Sequence, residues 1–135
     1  MIRFLVILGL IAAVLALAAF EQVYVGRTYD RMKSETSAIL SEVYATAENP
    51  DKEAPFSDDL KNRIDTLHRY WMNKEPKMCA LTRHMELSYI SDALIYARNF
   101  IHNGNKEEAA GGLERLSYLL DTYSHIYSVN GWNIL

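Results

Sequence analysis

His84, Ser88 and Asp92 stand at i, i+4 and i+8, so a helix carries an imidazole, a hydroxyl and a carboxylate along one face. These are the side-chain types of a nucleophilic triad, but a triad holds its imidazole between the other two groups, and here Ser88 is in the middle. A solvated polar stripe opposite Leu87, Ile90 and Leu94 is the better reading. Met78, Cys79, His84 and Met85 bring thioether, thiol and imidazole into one segment, a ligand set that suits a soft ion such as Cu(I). The same methionines fit an apolar stripe, and Cys79 needs no metal to be buried as a small hydrophobe. His68 and His125 each lie among apolar positions, where an edge-of-core imidazole would give a pH-sensitive contact. Asp58 and Asp59 are adjacent and point apart on a helix, so they suit its positive end better than acid–base work.

There is no glycine-rich phosphate loop, paired-cysteine metal motif, HExxH or GxSxG elbow. The expectation is a protein that is not an enzyme and has no cofactor or metal. Nine tyrosines recur at the edges of apolar stripes, where a ring is buried and its hydroxyl stays wet. Cys79 is the only cysteine, which excludes an intramolecular disulfide and leaves an intermolecular bridge as the functional alternative to burial.

The elements that hold these residues begin with Phe4–Phe20, a run without a charged or polar side chain. As a helix it rises about 25 Å, close to the hydrocarbon layer of about 30 Å. Residues 1–20 are therefore expected to be a transmembrane anchor. Cleavage as a signal peptide at the small-x-small motif Ala16-Leu17-Ala18 is the alternative. Arg3 and the amino terminus place the N-terminus in the cytoplasm and the remainder outside the membrane. Gly9 and Ala13, like Ala12 and Ala16, have the small-x-x-x-small spacing that lets membrane helices approach closely.

Residues 21–48 continue the helix as a stalk, with Val25, Tyr29, Met32, Ile39 and Val43 on one stripe. Residues 49–57 form a linker broken by Pro50 and Pro55. Residues 58–135 are read as a helical bundle with helices at about 58–74, 77–102 and 106–128 and a short apolar tail, in which Trp132 is a candidate contact. Ser57 is the expected N-cap of the first, Pro76 the start of the second, Asn103-Gly104 its C-cap, and Asn105 with Glu108 a capping box for the third. The fold class is all-α: a transmembrane helix continuing into a stalk, then a small up-and-down bundle.

Acidic residues outnumber basic ones, 17 to 14. That balance argues against nucleic acid as a partner and against a polybasic hold on anionic lipid. The N-terminal anchor, Trp71 late in the helix at 58–74, His84-Met85-Glu86-Leu87, the leucine-rich last helix and the terminal Asn133-Ile134-Leu135 resemble an uncharacterised bacterial family of small single-anchor proteins. That family is a domain of unknown function in spore-forming, Gram-positive anaerobes. The resemblance implies a topology and no catalytic residues. Its members' multi-pass membrane neighbours imply a membrane protein as partner, with self-association the other possibility. Trp71 with His84 and Glu86 are then positions for an interhelix contact, the plainer reading being an aromatic core anchor and a surface His–Glu pair. The expected function is a non-catalytic, extracytoplasmic, membrane-anchored domain acting through protein–protein contacts as an accessory or structural subunit. The alternative is an extracytoplasmic sensor or small-ligand-binding bundle using the tyrosine rim and His68 or His125.

Overall fold

The structure, a computed structural model, describes residues 2–48 and 55–127. Trp132, the tail and most of the Pro50–Pro55 segment lie outside the described residues. Four helices follow one another: α1 (Ile2–Ala47), α2 (Asp58–Met78), α3 (His84–Asn103) and α4 (Lys106–Tyr127). Each packs on two neighbours, α1 on α2 and α4, α3 on α2 and α4, so the helices form a closed four-membered ring of alternating direction.

α1 serves two environments. Residues 4–20 are all exposed. By length and composition this is the one helix among the described residues able to cross a membrane. Burial begins at Val25 and continues through Tyr29, Met32, Thr36, Ile39 and Val43. At about 1.5 Å per residue, Val25 stands only about 7 Å beyond Phe20. The expectation is a stalk helix that joins the bundle through the Ile39/Val43 face of its distal half; both residues are buried, and the buried stripe extends back as far as Val25.

Ser57 caps α2 as expected, its Oγ accepting from the Leu60 amide at 3.1 Å. Phe56, within the expected linker, is buried against the core. The far end of α2 departs from the expectation. The helix does not stop near Lys74 but runs through Pro76 to Met78, and α3 starts at His84 rather than near residue 77. Pro76 faces solvent and removes one amide donor from the last turn, whereas the Met78 side chain is fully buried. A mid-helix proline costs about 3 kcal/mol. Burying a methionine returns about 1.5–3 kcal/mol, and the extra turn also gains the Cys79 amide on the Glu75 carbonyl at 2.9 Å, so the two together offset the proline. The Met78 carbonyl then accepts from the Leu81 and Thr82 amides and the Thr82 hydroxyl, which closes the turn.

Gly104 ends α3 in the left-handed conformation at φ 76°, as Asn103-Gly104 suggested. Asn105 Oδ1 accepts from the Glu108 amide at 3.1 Å, the expected half of a capping box. The Glu108 carboxylate takes the Tyr96 hydroxyl instead of completing the box. Ion pairs tie neighbouring helices on the outside: Lys33–Asp121 at 2.6 Å, Arg63–Glu42 at 2.9 Å and Arg98–Asp65 at 2.6 Å. Each is worth about 0–1 kcal/mol at the surface, so they set helix rotation more than stability.

Candidate functional site at the base of the bundle

The end of the bundle next to the apolar run gathers the last turn of α2, the 79–83 turn, the start of α3 and the end of α4. Tyr127 of α4 donates its hydroxyl to Glu86 Oε2 at 2.7 Å, and Arg83 stands 4.0 Å from Oε1. Glu86 is only 8 % exposed. The fully buried Tyr29 ring stacks on Tyr127 at 6.1 Å between centroids, and its hydroxyl has no partner among the described residues. Burial raises the Tyr29, Tyr123 and Tyr127 hydroxyls above the ordinary phenol value, and the Glu86 charge adds to each. These phenols stay protonated, and Tyr127 is the one that donates to the Glu86 carboxylate, a bond that fastens α4 to α3.

Trp71 is fully buried. Its indole N–H donates to Ser91 Oγ at 2.7 Å, and Ser91 donates to Glu75 Oε1 at 2.9 Å, so a short relay joins α2 to α3. Trp71 is therefore an interhelix anchor, but its polar partner is neither His84 nor Glu86. Nor are the latter two a surface pair: Glu86 turns inward to Tyr127, and His84 is exposed, with Nδ1 3.4 Å from Cys79 Sγ. Neighbouring residues on a helix diverge by about 100°, enough to bring a residue two positions on to the opposite side.

The remaining candidates separate. His84 and Asp92 are exposed and Ser88 half-buried, and among the described residues no hydrogen bond joins them. Met78 points into the core whereas Met85 is 66 % exposed, so Met85 does not continue the apolar face and the four soft-ligand types do not converge. Among the described residues no three His, Cys, Asp or Glu side chains are placed to hold a metal ion. Cys79 is half-buried rather than buried. Asp58 and Asp59 occupy the first turn of α2. Gly9 and Ala13 are exposed, and Gly9 has nothing within 4 Å of its would-be Cβ. Counting back at about 100° per residue, Gly9 falls about 160° from the Val25 stripe, so the bundle leaves that face of the apolar run open.

His125 is exposed, with Nε2 3.7 Å from Asp121. His68 is half-buried beside Arg98 and Asp65. Burial, joined by Arg98, holds its imidazole below the ordinary 6.5, against the pull of Asp65. Partial burial would raise Asp65, but hydrogen bonds from His102 and Arg98 outweigh it and the carboxyl lies below its ordinary 3.8. The signs agree. A depressed imidazole favours the neutral form in the fold, so stability is present above 6.5 and falls as pH drops through that value. The Asp65 contribution is present above 3.8 and is lost below it. The thermal midpoint should fall between pH 7 and 5, and His68→Gln should make that fall shallower. Parallel pH profiles for the two proteins would refute the assignment.

Sequence reasoning missed two features here. Arg31 stacks over the Tyr70 ring at 4.2 Å, in a cleft of about 280 Å³ between α1 and α2 that also holds Glu35, Asn62, Arg63 and Thr66. Lys74 lies over the Tyr24 ring at 4.7 Å, near Arg27. Both depend on which helices adjoin, and nothing in local periodicity reports that. The chain matches no family model, no curated protein and no solved structure.

Proposed function

We propose that the protein is a non-catalytic membrane-anchored domain, held outside the cytoplasmic membrane, that works through protein–protein contact as an accessory or structural subunit. One observation carries this reading: a single helix supplies both the apolar segment, exposed on every side, and one wall of the bundle. An apolar helix with no protein around it needs lipid or a partner. Because no loop separates anchor from bundle, the domain is held at a set height and rotation over the bilayer, a geometry suited to a fixed contact with another membrane component. Arg3 supports a cytoplasmic N-terminus by the positive-inside rule. The open Gly9/Ala13 face offers a place for a second membrane helix, from a multi-pass protein or another copy. The family resemblance, with its multi-pass neighbour, fits this picture.

Intact mass and membrane fractionation after expression in a bacterial host test the reading. A full-length mass in the membrane fraction is expected. Loss of about eighteen residues into the soluble fraction would overturn it, by the small-x-small route.

A second reading, a ligand-binding bundle, is favoured by the α1–α2 cleft with Arg31, Asn62, Arg63, Thr66 and Tyr70. Much of its charge is internally matched, since Arg63 already meets Glu42 at 2.9 Å and Glu35 at 3.9 Å. That pairing makes contact the stronger of the two. Stabilisation by one member of a small-molecule screen, abolished by Arg31→Ala, would reverse the order.

A further inference from the structure

A second cleft between α1 and α2, of about 240 Å³, opens at the base of the bundle where the apolar run ends. Phe20 and Val23 form its lower lip, Tyr24 and Tyr70 its walls, and Arg27 and Lys74 its upper rim. The lining contains no carboxylate. Lys74 rests on the faces of Tyr24 and Tyr70, 4.7 and 5.6 Å from their centroids, and Arg27 and Lys74 have no ion-pair partner among the described residues. The Tyr24 hydroxyl behind this wall is buried and has no hydrogen-bond partner among the described residues. A chain that is acidic overall thus presents two cations and no acid at this one spot.

We infer that this cleft binds a single anionic phospholipid at the edge of the outer leaflet, its phosphate between Arg27 and Lys74 and its acyl chains along Phe20 and Val23. The inference rests on the membrane-anchor reading. Heights agree with it. Phe20 is 68 % exposed and ends the apolar run, and it stacks on Tyr24 at 6.2 Å, so the run continues directly into the cleft wall. Arg27 stands about 10 Å further along the helix, at the level of the headgroup layer, and a long cationic side chain reaches back toward it with its stem on apolar surface. On another side of α1, Leu81, Ile126 and Tyr127 line a cleft together with Ala18. The base of the bundle therefore descends alongside the apolar run itself. This is one headgroup site, distinct from the polybasic hold that the composition argues against.

The test uses the full chain in nanodiscs of equal phosphatidylglycerol and phosphatidylcholine, with retained lipid counted by native mass spectrometry after mild detergent extraction. The wild type should retain phosphatidylglycerol over phosphatidylcholine by roughly thirtyfold, the scale of two interfacial cations each attracting an anionic lipid. Arg27→Gln with Lys74→Gln should bring the ratio near one while helicity and thermal midpoint stay within those of the wild type. A wild type without preference, or a double variant that keeps it, overturns the site and leaves the anchor intact. Protein that does not remain in the nanodisc overturns both. Lipid-free protein in detergent, titrated with inorganic phosphate, separates the sources. Stabilisation by phosphate equal to that by phosphatidylglycerol would mean a small-anion site and overturn the lipid assignment, whereas little response to phosphate supports it.

Discussion

Trp71→Ala should remove a large part of the stability of the bundle, about 3–5 kcal/mol. Trp71 is the largest fully buried side chain among the described residues, and it sits between α2 and α3 with its indole N–H on Ser91. Truncating a buried tryptophan costs about 3–5 kcal/mol, against a total of about 5–15 kcal/mol for a domain. The loss also strips Ser91 of its donor and loosens the link to Glu75. Two further variants divide the effect. Trp71→Phe keeps most of the packing and loses the N–H, so it should cost less than half as much. Ser91→Ala keeps the ring and leaves a buried N–H unsatisfied, at about 1–3 kcal/mol. Thermal unfolding followed by circular dichroism in detergent reads all three. A Trp71→Ala midpoint within a few degrees of the wild type would mean that the indole is not the anchor of this interface.

The adjacent glycines of α4 should respond in opposite directions. A Cβ on Gly112 would meet Tyr96 Cδ1 at 2.9 Å, Ala97 Cα at 3.0 Å and Ala97 Cβ at 3.1 Å. The tyrosine ring can turn away, but the Ala97 backbone moves only if α3 moves. Ala93, Ala97 and Ala109 are buried along the same interface, so α3 and α4 meet through small residues. Gly112→Ala should therefore destabilise, with overpacking at about 1–3 kcal/mol exceeding the gain in helix propensity of about 1 kcal/mol, and Gly112→Val should cost more. Gly111 is exposed, with nothing within 4 Å of its would-be Cβ. There the propensity gain stands alone, so Gly111→Ala should raise the midpoint by several degrees, at about 4–8 °C per kcal/mol for a domain of this size. If both alanine variants raise the midpoint, the α3–α4 interface is looser than described.

The glycine pair also marks where sequence reasoning stops. The α4 stripe of Ala109, Leu113, Leu116 and Leu120 is legible from spacing alone, and all four are buried. Gly112 falls just beside that stripe. Nothing in its own neighbourhood says that a second helix approaches to within the width of a missing methyl group. Glu86 follows the same logic: a glutamate two residues after a surface histidine reads as solvated, and only the arrival of Tyr127 from forty-one positions away makes burial tolerable.

Local physics by itself determined the all-α class, the apolar run, the apolar stripes of the helices, the Ser57 cap and the Gly104 stop. Each depends on neighbours within a turn or two, through periodicity, a capping hydroxyl or a left-handed glycine. Tertiary structure decided where α2 ends, because Pro76 argues locally for a stop and the buried seat of Met78, with the hydrogen bond from Cys79 to Glu75, offsets it. It decided that the packing on the bundle reaches from Val43 back to Val25 rather than being confined to the distal Ile39/Val43 face, since an amphipathic stripe names a buried face but not what covers it. It also decided that Arg27 and Lys74, forty-seven residues apart in a net acidic chain, share one cleft at the end of the apolar run. Charge counts average over the molecule, whereas a binding site depends on which two helices happen to lie side by side.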